Sequence, residues 1–168
     1  LMLRTADIQK LPHHFLPKDF VLTNWDSLEP YFKALLERDI TDKQELEQWM
    51  KDLSELEAFI SEDACWRQIK MTCDTENKAL EKAFEYFCVE IEPHTKPYSD
   101  QLNRKLLASS ALNELDKDQY FTFLRSVTNE IALFKEENIA LHAELNVLAQ
   151  QYGQITGKMS IEVDGKEY

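Results

Sequence analysis

An all-α fold is the class this sequence predicts, and three observations carry it. Only three of the 168 residues are Gly and five are Pro, so breakers are sparse, and good helix formers dominate. Apolar residues recur at helical spacing over long stretches, most clearly from Leu46 to Ala64. Alternation at period two occurs only near the end, whereas an all-β chain of this size would need many more turn residues. The architecture expected is a long antiparallel helical hairpin with additional packed helices and a short C-terminal β-hairpin. A chain of this length suits one domain, and can bury roughly two thirds of its unfolded surface.

Residues 1–23 read as an irregular N-terminal segment broken by Pro12, Pro17 and His13-His14, with Phe15, Leu16, Phe20 and Val21 available to tuck against a core. Leu1 ahead of Met2 reads as an added residue. Residues 24–157 form the helical domain. Its first helix runs from Asn24 or Ser27 to Arg38, with Leu28, Tyr31, Phe32 and Leu35 as its stripe and Pro30 acceptable only in the opening turn. The second starts at a capping box of Thr41 and Gln44, with Asp42 and Glu45 at its positive end. It carries Leu46, Trp49, Met50, Leu53, Leu56, Phe59 or Ile60 and Ala64, and continues to about Thr72. At 1.5 Å per residue its roughly 30 residues span about 45 Å.

Asp74-Thr75 marks a tight turn, and the third helix starts near Glu76 with Leu80, Phe84, Phe87, Cys88 and Ile91, giving the antiparallel hairpin. Pro93 and Pro97 each remove a helix hydrogen bond. Because Tyr98, Leu102 and Leu106 keep the phase, a kink that resumes to about Leu107 is expected rather than a stop. Leu112–Leu115 is a short helical piece. A further helix starts at Asp116 or Asp118, carries Tyr120, Phe121, Leu124, Val127 and Ile131, and is read as running on with a bend through Phe134, Ile139, Leu141, Leu145 and Leu148 to about Tyr152. Gly153 and Gly157 end the helical pattern. Residues 158–168 are a truncated β-hairpin: Lys158 to Val163 alternates, and Asp164-Gly165 is a strong hairpin turn. A two-stranded hairpin is marginal alone, so the sequence is expected to continue past Tyr168.

Nineteen Lys+Arg against 31 Asp+Glu give a net charge of −12. That field repels nucleic acid and anionic membranes, and neither is an expected partner. No run of 18 apolar residues exists to span a bilayer, and the N-terminus lacks a secretory segment. The odd set Cys65, Cys73 and Cys88 reads as reduced, partly buried thiols of a cytoplasmic protein.

The chemistry-bearing residues do not assemble into a motif. There is no His-Glu-x-x-His and no Cys-x-x-Cys, and the adjacent His13 and His14 make a poor chelate. His94 lies between two prolines and His142 sits alone on a late helix. The acid pairs Glu55 with Glu57, Glu62 with Asp63 and Glu136 with Glu137 are what an acid-rich helix surface gives by chance. The three glycines do not form a phosphate loop. Tyr86, Phe87, Tyr98, Tyr120, Phe121 and Phe123 read as core rather than a ligand platform. Arg67, Arg104 and Arg125 read as intramolecular pairs with acids. No catalytic, cofactor-binding or metal residue is therefore assigned.

Three stretches resemble the N-terminal region of oligoendopeptidase F-type, thimet-like zinc metallopeptidases. They are ELEQWMKDLSELEAFISEDACWRQIKMTCDTENKALEKAFEYFCVEIEPHTKPYSDQLNRKLL (45–107), FLRSVTNEIALFKEENIALHAEL (123–145) and YGQITGKMSIEVDGKEY (152–168). The resemblance covers the chain from about Phe15 to its end. It implies a non-catalytic lobe that forms part of the wall or lid of a channel for short peptides. Its partners would be the parent's own C-terminal catalytic domain and, through it, an oligopeptide substrate. The family's zinc ligands and catalytic residues have no counterpart here, so zinc belongs to the parent and the chain alone is expected to be inactive. The competing reading is a free-standing acidic helical interaction module without enzymatic activity. An enzyme lobe should show an apolar patch where the next domain sits, and a solo module should not.

Overall fold

Asn24 starts the first helix because its extended backbone leaves its side chain free to accept the Ser27 N–H at 3.0 Å, while Ser27 answers the Asn24 N–H. These contacts come from a computed structural model that describes residues 13–157 and 159–167. The expected irregular course of residues 1–12 and the parts of the β-hairpin at Lys158 and Tyr168 lie outside the described residues.

Helix α1 spans Trp25–Glu37 and buries Leu28, Phe32 and Leu35. Pro30 falls in its second turn, not its first. It is tolerated on the exposed face, where water can serve the Asp26 carbonyl that loses its partner. Helix α2 spans Lys43–Cys73. Its cap is Asp42 rather than Thr41: Asp42 Oδ1 accepts the Glu45 N–H at 2.9 Å. Glu45, not Gln44, turns back to take the Thr41 N–H and hydroxyl, both at 2.8 Å. The cap is therefore shifted by one residue, and Glu45 returns to Thr41 ahead of the cap rather than to Asp42, because a carboxylate is the stronger acceptor at the positive end of a helix.

Asn77, not Glu76, sets the start of helix α3 (Lys78–Tyr86), its Oδ1 accepting the Ala79 and Leu80 N–H groups. α2 and α3 form the expected hairpin. The kink ahead of Pro93 is a π-turn over Phe87–Ile91, in which the Glu92 N–H reaches back five residues to the Phe87 carbonyl. One extra residue in the turn accommodates the missing proline donor without ending the helix. Helix α4 (Glu92–Ala108) carries on with Pro93 in its first turn and Pro97 inside it. A 3₁₀ turn over Ser110–Glu114 leads to α5 (Lys117–Leu133), capped by Asp116.

The run from α5 into the next helix is broken, not bent. Phe134 takes an extended conformation and ends α5 on the Glu130 carbonyl. A turn through Lys135–Glu137 follows before α6 (Asn138–Gly157) begins. Glu136 and Glu137 sit at the positive end of the new helix, where their charge favours a fresh start. α6 runs through Gly153 rather than stopping there. Strands β1 (Glu162–Val163) and β2 (Lys166–Glu167) pair antiparallel with Val163 opposite Lys166. Asp164 and Gly165 both have positive φ, 52° and 74°, the twist a tight hairpin requires.

The core lies between α1, the first half of α2, the π-turn and α4. Trp49, Phe32, Leu28, Leu35, Leu46, Leu56, Ile91, Leu102 and Leu106 are its largest fully buried side chains. Beyond Leu56, Met71 is the one buried residue of α2 among those described. The junction of α1 and α2 is tied by polar groups as well. Trp49 Nε1 donates to the Leu35 carbonyl at 2.9 Å, and Asp52 accepts from Arg38 and Gln48. Lys105 Nζ donates to the Leu36 and Arg38 carbonyls at the negative end of α1. Burial lowers the Lys105 pKa from its ordinary value.

Candidate functional site

The residues that could carry chemistry are dispersed over the molecule. His13 meets the Phe59 ring edge-on, His94 stacks on Trp25 at 5.3 Å, and His142 lines a cleft on the other side of α4. Cys65 and Cys73 are exposed, against the expectation of partly buried thiols; Cys88 alone of the three is buried. The second half of α2 leaves the core, so its cysteines have little to pack against. Among the described residues no three His, Cys, Asp or Glu side chains come together as a metal site.

The acid pairs separate. Glu55 is structural: its carboxylate accepts the N–H groups of His14, Phe15 and Leu16, the last at 2.8 Å. Burial works to raise its pKa, but the three donors outweigh it and hold Glu55 below the usual carboxylate value. Glu57 points elsewhere. Burial first, and then the charge of Glu130, push it up, although its side chain still reaches solvent. Asp63 pairs with Arg67.

Arg67 is a clamp. Beyond Asp63 it donates to the carbonyls of Ala83 and Leu22, each at 3.1 Å, and its guanidinium lies over the Phe87 ring. It joins the N-terminal segment, α2 and α3 through one planar group. Arg104 pairs with Asp100, as expected. Arg125 lies 5.7 Å from the Phe121 ring centroid instead of on an acid. Of the aromatic residues read as core, Phe87 is buried and Tyr98 and Tyr120 pack against the core, but Tyr86, Phe121 and Phe123 are exposed. α5 presents more of its circumference to solvent than a helix in the middle of a bundle would.

A cleft of about 480 Å³ opens between the π-turn, α4, the end of α5 and the start of α6. Glu92 organises its floor, pairing with Lys96 Nζ at 2.9 Å and accepting from Asn146 Nδ2 at 3.1 Å. Cys88 borders it as a neutral thiol. Burial, then the charges of Glu92 and Glu85, push its pKa up to about 11, which removes thiolate reactivity near pH 7.

The most unusual surface is on α6. Its inward residues include Asn146, Gln150 and Gln154, and Gln150 is its one buried residue among those described. Its outward residues are Leu141, Leu145, Leu148, Tyr152 and Ile155, exposed between 54% and 69%. Met159, Ile161 and Val163, in and just before the hairpin, are exposed as well. The partly buried side of the helix also holds Ile139, Ala143 and Val147, so α6 is apolar on both sides and leaves its larger apolar residues to solvent. Leu141, Leu145 and Leu148, expected on a packed helix, are instead exposed. Their alternating spacing of four and three was the available sign of a separate seam.

The described residues form a helical domain with scattered polar chemistry and one helix, α6, whose large apolar side chains are exposed. Its family is given by comparison: residues 15–134 match the Peptidase M3 N-terminal domain. That match covers more than half of the chain, which therefore belongs to this family, the N-terminal region of an M3-type metallopeptidase. No match is found among curated proteins or among solved structures. Among the described residues no helix is long and apolar enough to cross a membrane.

Proposed function

We propose that the chain is the non-catalytic N-terminal helical lobe of a zinc-dependent oligopeptidase and forms part of the wall or lid of its peptide channel. The match of residues 15–134 to the Peptidase M3 N-terminal domain carries this reading. The uncovered apolar face of α6 supports it, because a contiguous exposed apolar patch marks an interaction surface. Hydrolysis, with its zinc ion and catalytic side chains, would belong to the parent's catalytic domain. The lobe would restrict access to short peptides. Exposed free Cys65 and Cys73 suit a reducing, cytoplasmic location.

The test is to read the coding frame past Tyr168 and to assay both proteins with a quenched fluorescent peptide. A continuing frame with a His-Glu-x-x-His helix and a later Glu, zinc-dependent cleavage by the whole protein and none by the 168-residue chain are expected. Zinc-dependent cleavage by the chain alone, or a frame that stops at Tyr168, would overturn the reading. The second result would leave an acidic helical interaction module.

A further inference from the structure

The outward face of α6 has a repeat that defines what it can hold. Leu141, Leu145, Leu148, Tyr152 and Ile155 follow one another at intervals of four, three, four and three residues. At 100° per residue they fall within an arc of about 80°, and they extend about 21 Å along the helix. This is the a/d seam of a heptad repeat, the pattern that receives knobs from one facing helix. Such a seam is normally covered, yet every one of these side chains is more than half exposed.

Charge points the same way. The whole chain is 30% Asp, Glu, Lys and Arg, but between Asn138 and Gly157 Glu144 is the one such residue. Depletion of charge at the centre of a patch is the compositional mark of an interface core. Glu144 borders the seam on one side, while Ala149, on the other, is small enough to let a second backbone approach. The seam also lies just beyond the matched family domain, which ends at residue 134.

We infer that the α6 seam is the docking site for one α-helix of the parent's catalytic domain, packed knobs-into-holes against Leu141, Leu145, Leu148, Tyr152 and Ile155. This inference rests on the reading given under Proposed function. The partner helix carries its own apolar residues at heptad spacing and a Lys or Arg opposite Glu144. Two other occupants fit less well. A second copy would bring two chains of net charge −12 together. A lipid surface would require Lys or Arg on the polar side, and α6 has neither.

The experiment is thiol labelling by a small maleimide, with Cys65 and Cys73 replaced by Ser. Leu148→Cys reports the seam, and Gln151→Cys, also exposed on α6 but beside the seam, is the control. In the 168-residue chain both label quickly at every protein concentration. In the whole protein Leu148→Cys slows by at least about tenfold, as burial behind a closed contact requires, while Gln151→Cys slows less. Equal, fast labelling of Leu148→Cys in a whole protein that still cleaves peptide would overturn the docking site and leave the lobe reading intact. Slow labelling in the chain alone that grows slower with concentration would overturn it in favour of a second copy. If Leu148→Cys fails to fold, Leu145→Cys replaces it with the same expectations.

Discussion

Helices α1 and α6 follow opposite rules. α1 has 13 residues and buries Leu28, Phe32 and Leu35. α6 has 20 residues, yet the one it buries is Gln150, and its five seam residues face water. α1 is sharply amphipathic whereas α6 is apolar on more than one side, so they differ in how much of their apolar surface the chain itself covers. α1 is satisfied within the chain, by α2 and α4. α6 turns a mixed side to α4 and the π-turn, with Ile139, Ala143 and Val147 beside Asn146 and Gln150, and leaves its larger apolar residues exposed. The core of this domain and the exposed stripe of α6 are therefore separate structures with separate energetic consequences.

The largest expected effect is at the satisfied end. Trp49→Ala removes a fully buried indole and its bond to the Leu35 carbonyl. It is expected to cost about 3–5 kcal/mol, read as a lower urea midpoint. A loss below about 1 kcal/mol would mean that α1 and α2 do not share the core described.

A smaller loss is expected at the end of α1. Lys105→Ala takes away both donors from the Leu36 and Arg38 carbonyls. Charged hydrogen bonds of this kind are worth about 1.5–3 kcal/mol, and partial solvent access lowers that to about 1–2 kcal/mol. Urea unfolding of the variant checks it.

Glu55 sharpens the contrast through pH. Its folded pKa lies below the ordinary 4.5, so between the two values the unfolded chain binds the extra proton. The stability it contributes is present above pH 4.5 and is lost as pH falls through the folded value. Glu55→Gln is expected to lower stability by about 1–2 kcal/mol near pH 7, since three backbone donors lose a charged acceptor. The difference from the parent chain should shrink below pH 4.5. Thermal unfolding at pH 7 and across that window tests both parts, and a pH-independent difference would contradict the role given to the carboxylate.

Much of this was legible in the sequence because local rules act in isolation. The Asn24 cap, the α2 stripe from Leu46 to Leu56 and the Asp164-Gly165 turn each depend on residues a few positions apart. What was misread depends on distant partners. The α2 cap is the exception, a local choice between neighbours that falls on Asp42 rather than Thr41. Phe121 and Phe123 looked like core because hydrophobicity does not say whether a facing element exists. The α6 seam shows this most clearly: the spacing of Leu141 to Ile155 marks a buried stripe, and no local rule states which body buries it.

The central claim is that the α6 stripe is not part of this lobe's own core. One urea titration of three proteins tests it: the parent chain, Leu56→Gln and Leu148→Gln. Leu56 is fully buried and Leu148 is 54% exposed. The account predicts that Leu56→Gln costs about 2–5 kcal/mol, while Leu148→Gln stays within about 0.5 kcal/mol of the parent chain. Comparable losses at both positions would contradict it and place α6's outward leucines in the core.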